Sequence, residues 1–112
     1  MTGPAKRKGD RAEREAAALL ADLTGYDVRR LLGAGRHDDL GDLDVPGWAI
    51  QVADWQQVAA ALRVKPVDAD EQARRSNSYG AAMLRLRGGA YRFALTPETW
   101  ARVHDELIEG HP

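Results

Sequence analysis

The chain has 112 residues, 44% hydrophobic and 29% charged, with no cysteine. This composition predicts one folded domain and excludes a disulfide scaffold or a thiolate metal site. No apolar run approaches the ~20 residues of a membrane span, and the start lacks a secretory apolar segment, so a cytoplasmic setting is expected.

The net charge of −1 hides three blocks. Residues 1–36 carry eight basic and five acidic side chains, residues 37–71 two and eight, and residues 72–112 six and four. The blocks are therefore +3, −6 and +2. Basic ends around an acidic middle suit a polyanion with a cation held between.

Residues 1–5 read as a loose tail. Ala12, Ala16, Leu19, Leu20 and Leu23 fall on one stripe at helical spacing and predict a helix from about Lys8 to Leu23, closed by Thr24-Gly25. Tyr26 to Leu32 reads as a strand, and Gly33 to Gly41 as a loop carrying Arg36, His37, Asp38 and Asp39. A hairpin follows, turning at Pro46-Gly47, which suits a type II turn. Its pairing sets Val45 against Trp48, Asp44 against Ala49, Leu43 against Ile50 and Asp42 against Gln51. Alternation then puts Leu43, Val45, Trp48, Ile50 and Val52 on one face, and Asp42, Asp44, Ala49, Gln51 and Ala53 on the other.

Asp54 is expected to cap a helix lined by Trp55, Val58, Ala59 and Leu62, with Pro66 breaking it. A second, polar helix is expected from about Asp70 to Asn77. Ala81–Arg87 and Tyr91–Leu95 read as hairpin strands around Gly88-Gly89. Thr96-Pro97 opens a last helix whose buried side is Trp100, Val103 and Leu107. The sum is a mixed α/β domain, a central sheet flanked by helices.

Phosphodiester hydrolysis needs a divalent cation, carboxylates to hold it, and a donor or base to position water. Mg²⁺ takes oxygen ligands, often one or two carboxylates with retained waters. Asp42 is the natural first ligand. The Gln51 amide oxygen and the Val52 carbonyl can add two more, and Glu13 can approach from the edge of the first helix. Taken singly, each has an ordinary structural reading: a turn acid, a strand amide, a solvated helix carboxylate. Trp48, Trp55 and Trp100 read as core. Order and spacing together carry the chemistry.

That order runs Lys6-Arg7-Lys8-Gly9, three residues, Glu13-Arg14, then Val28-Arg29-Arg30, Gly33-Ala34-Gly35, Gly41-Asp42 and Gln51-Val52-Ala53. Residues 6–53 so arranged resemble the archaeal-type Holliday junction resolvases and the wider PD-(D/E)xK nuclease superfamily. Small proteins of phages infecting high-GC bacteria look similar. The resemblance implies a restriction-endonuclease-like fold and a homodimer that cleaves branched DNA with Mg²⁺ or Mn²⁺ in a bacterial cell, close to the nucleoid. It implies catalytic positions at Glu13, Asp42, Gln51 and Ala53, a metal on Asp42, Gln51, Val52 and Glu13, and phosphate contacts from Lys6, Arg7, Lys8, Arg29, Arg30 and Arg36. The chain departs from the pattern at Gly41 for proline, Gln51 for an acid and Ala53 for lysine. The last leaves three explanations: natural loss of activity, a basic residue supplied from elsewhere in the fold or a partner, or an engineered replacement. A nuclease-fold protein that binds junctions without cutting them is the alternative reading.

Overall fold

A small-residue stripe starts the fold. Ala12, Ala16 and Leu20, spaced by four, are buried, and their small side chains let the helix lie close on the sheet. This helix, α1, spans Pro4–Thr24. It ends where Gly25 takes φ +80°, a left-handed conformation, and returns its N–H to the Ala21 carbonyl at 2.9 Å. Leu19 and Leu23 stand outside the buried stripe, which is narrower than predicted.

The computed structural model describes residues 4–31 and 42–110, with side chains from Lys8 onward. The expected Gly33–Gly41 loop with Arg36, and the side chains of Lys6 and Arg7, lie outside the described residues.

Among the described residues five strands follow: β1 (Arg29–Arg30), β2 (Leu43–Val45), β3 (Trp48–Ala53), β4 (Tyr79–Arg85) and β5 (Tyr91–Ala94). They form one mixed sheet in chain order, antiparallel except for the parallel pair β3–β4. The hairpin register is the predicted one for Val45 opposite Trp48, Asp44 opposite Ala49 and Leu43 opposite Ile50. The predicted fourth pair, Asp42 opposite Gln51, is not formed: the Asp42 N–H goes to the Ile50 carbonyl instead. Gly47 at φ +85° occupies the position where a type II turn demands glycine.

The two sheet faces divide as alternation requires. Leu43, Val45, Ile50, Val52 and Met83 pack under α1. Ala53, Ala82 and Leu84 pack with Ala61 of the crossover helix on the other face. That helix, α2, spans Val58–Ser76 and runs through Pro66 without interruption. The predicted break is therefore wrong. Proline in a helix interior costs about 3 kcal/mol, which burial of the helix face outweighs. Its start is also later than predicted: Gln57 holds the N-cap position, and Trp55, Ala59 and Leu62 are exposed. The buried stripe is Ala61, Ala69 and Ala73 beside Pro66. Small residues bring α2 so close that a Cβ on Gly80 would sit 2.5 Å from the Ala69 carbonyl carbon.

The last helix, α3 (Pro97–Glu109), has the predicted Thr96 cap, whose hydroxyl accepts from the Thr99 N–H at 3.2 Å. Its predicted buried side is not buried. Trp100 is 57% and Leu107 55% exposed, and within α3 only Thr99 is buried. The helix is moored by its first turn and by Tyr79 of β4, whose ring lies 4.7 Å from the Arg102 guanidinium and whose hydroxyl bonds Glu106. Its apolar face has no cover among the described residues.

Candidate functional site

Asp42 stands just before β2, where the ladder to β3 runs out. Its backbone N–H still donates to the Ile50 carbonyl at 2.7 Å, while its side chain replaces the next rung: Oδ2 accepts the Val52 N–H at 2.7 Å. A strand residue's N–H and C=O leave on the same side, so the Val52 carbonyl also points toward Asp42. The carboxylate thus lies near the plane of the sheet, rather than projecting onto one face beside Gln51.

Gln51 points to the α2 face and is 5% exposed. Its Oε1 lies 3.4 Å from the Lys65 ammonium of α2. Lys65 also sits 5.7 Å from the centre of the Trp55 ring. Sequence reasoning missed Lys65, and the signal for it is the stripe Ala61, Lys65, Ala69, Ala73. Four residues at a spacing of four share one helix face, and Lys65 is the only charged one. Reading Pro66 as a break concealed this stripe.

Asp42 and Lys65 meet at a cleft of about 670 Å³ at the carboxyl end of β3. Lys8 and Glu13 of α1, Asp42, Ala53, Trp55 and Lys65 line it. Ligand sites of open α/β sheets favour this end of the strands. Glu13 arrives from the opposite sheet face to Gln51. Its Oε1 is bound by Arg30, at 3.0 Å from Nη2 and 3.3 Å from Nε, and Asp10 takes the same guanidinium at 3.0 Å. Arg30 is thereby committed to α1. Arg29 stays exposed and, among the described residues, pairs only with the exposed Asp27 at 3.2 Å.

Asp54, expected as a helix cap, is instead a hub. It is nearly buried, and Lys8, Arg11 and Arg85 approach it at 3.7, 3.6 and 3.8 Å. Arg85 in turn donates to Glu15 at 2.8 Å, and the Tyr91 hydroxyl donates to Glu15 at 3.0 Å and to the Ala12 carbonyl at 2.9 Å. The Arg85 bond, then the Tyr91 bond, hold the Glu15 carboxyl below its ordinary range. Burial, then Glu15, pushes the Tyr91 phenol up. This network braces α1 on β4 and β5 and fixes the basic rim of the cleft.

Beside the Asp42 carboxylate the donors in the cleft are oxygens, the Val52 carbonyl and the Glu13 carboxylate, while the Gln51 amide lies on the α2 face and does not line it. That set suits a hard divalent cation with retained waters. Among the described residues no three acidic or histidine side chains converge. No helix of the described residues is long and apolar enough to cross a membrane. Compared with protein-family models, curated proteins and solved structures, the chain matches none of them.

Proposed function

We propose that this chain is a metal-dependent DNA endonuclease of the restriction-endonuclease-like fold, acting on branched DNA, with four-way junctions as the preferred substrate. The observation that supports this best is the clamp of the Asp42 carboxylate on the Val52 N–H, beside Glu13 and Lys8 at one strand-end cleft. Asp42 and the Val52 carbonyl would hold Mg²⁺ or Mn²⁺, with Gln51 and Glu13 as flanking oxygens. The bound cation would supply charge neutralisation at the phosphoryl oxygens and a more acidic water. Lys8 at the cleft rim and the exposed Arg29 contribute contacts to the DNA backbone, with Lys6, Arg7 and Arg36 as further candidates. Symmetric resolution of a junction needs two such sites about a twofold axis, so the reading includes a homodimer.

The test is cleavage of labelled four-way junction, flap and duplex DNA with Mn²⁺, beside Asp42→Asn. The expected result is junction cleavage that Asp42→Asn abolishes. No cleavage of any of these DNAs, by a folded protein at micromolar concentration, overturns the reading. A second reading, binding without cleavage, is favoured by Ala53, a methyl group buried where the resemblance implies an ammonium. Salt-sensitive junction binding with no cutting would establish it.

A further inference from the structure

We infer that Lys65 supplies from α2 the cationic donor that position 53 of β3 lacks; the inference rests on the nuclease reading above. Lys65 occupies the helix stripe that otherwise holds only Ala61, Ala69 and Ala73, all buried against the sheet. Its side chain therefore runs toward the sheet. Its ammonium stops 3.4 Å from Gln51 Oε1, two residues before Ala53 on the same face. A lysine at position 53 would project from the same face of β3 toward the same cleft.

Chemistry sets the role. An ammonium carries three donors and a compact charge. Among the described residues its partners are Gln51, through a single long bond, and the Trp55 ring. The Gln51 bond anchors the group without neutralising it, because an amide oxygen has no net charge. The Trp55 ring shields one side and favours a cation. Two donors are left for an anionic oxygen entering the cleft. In hydrolysis a water oxygen bonds to phosphorus and the bond from phosphorus to the departing sugar oxygen breaks. One water proton passes to solvent, and the departing oxygen takes a proton from water. Lys65 transfers no proton in this step. It donates to a phosphoryl oxygen, whose negative charge grows toward the transition state.

Four proteins test this on one junction substrate with Mn²⁺: the original chain, Lys65→Ala, Lys65→Arg, and Lys65→Ala combined with Ala53→Lys. Junction affinity is measured in Ca²⁺, and melting temperature confirms folding. Lys65→Ala should lower the single-turnover cleavage rate by ~10²-fold or more, the scale of one charge-stabilising donor. Its junction affinity should change less than about threefold, because one donor among many phosphate contacts adds little to binding. Lys65→Arg should retain part of the rate, and Ala53→Lys should restore much of it. A merely structural role would not give rescue from a different element of the fold. If Lys65→Ala cuts as fast as the original chain while Asp42→Asn is dead, the inference is wrong and the nuclease reading survives. If Lys65→Ala is slow but Ala53→Lys restores nothing, the claimed equivalence of the two positions is wrong. If none of the four cuts although all fold and bind junctions, the nuclease reading falls and takes the inference with it.

Discussion

The Thr99 hydroxyl donates to Asp70 Oδ1 at 2.6 Å, tying the first turn of α3 to the middle of α2. Thr96 takes the other oxygen at 2.6 Å. One carboxylate therefore secures the start of a helix whose later turns meet Tyr79 of β4. Hydrogen bonds to a charged group contribute about 1.5–3 kcal/mol each, and these two share one acceptor group. Asp70→Ala should cost about 2–4 kcal/mol by urea denaturation. It should also make α3 the first site of limited proteolysis. An unchanged midpoint would show that α3 docks by other means.

The Glu15–Arg85–Tyr91 network predicts how stability depends on pH. The folded Glu15 carboxyl lies below its ordinary 4.5, so its contribution is complete above that value and drains as pH falls through the folded one. The Tyr91 phenol lies above its ordinary 10.0, so its contribution is complete below pH 10 and is lost as pH rises through the raised value. Glu15→Gln should flatten the acid limb of a stability–pH curve, and Tyr91→Phe the alkaline limb. Urea midpoints taken from about pH 3 to 11 check both signs. A mutant curve parallel to the original refutes the corresponding assignment.

Two sets of basic residues should respond differently to substitution. Replacing Lys6, Arg7 and Lys8 together with Ala should weaken binding to every DNA shape. The log–log salt slope should fall by ~0.9 for each phosphate that the variant no longer neutralises. Arg30→Ala should leave that slope alone, because the guanidinium is taken by Asp10 and Glu13. It should instead cost about 1–3 kcal/mol of stability, by leaving two carboxylates without their partner. Fluorescence anisotropy at several salt concentrations, with melting curves, separates the two outcomes.

The homodimer in the proposed reading calls for an apolar contact surface. The sheet face beside α1 offers a groove of about 360 Å³ lined by Leu20, Trp48, Ile50, Phe93 and Leu95. Phe93 is half exposed there, and Trp100 and Leu107 of α3 are similarly open. Sedimentation at tens of micromolar should show a dimer, and Phe93→Asp should shift it toward monomer while leaving the melting transition cooperative. A monomer at all concentrations, with and without junction DNA, counts against symmetric resolution.

Local signals made much of this fold legible. The hairpin register followed from alternation and one Pro-Gly turn, and the α3 start from Thr-Pro. What failed was burial that depends on distant packing. Trp100 and Leu107 have the right spacing for a buried face, yet no element among those described lies over them. Pro66 carries a real local penalty, and only the sheet beneath α2 overrides it. At the candidate site, the hairpin pairing brings Asp42 and Gln51 to one strand end. Their orientation was not readable: the Asp42 side chain bonds in the ladder plane, and Gln51 is drawn toward Lys65. That lysine became visible only once α2 was seen as one helix.

Gly80 lies in β4, yet it sets how far Lys65 can reach. A methyl group there would collide with backbone at Ala69 and Asp70, at 2.5 and 2.6 Å, and these atoms cannot swing aside. Gly80→Ala would have to jack the helix away from the sheet. Lys65 is one turn upstream of that collision point, so its ammonium would retract along with the helix. In the role inferred for Lys65, a displacement of about 1 Å can cost ~10²-fold in rate. Position 80 thus acts as a spacer of zero thickness, and its tolerance to change should follow the height of α2 rather than the chemistry of any ligand.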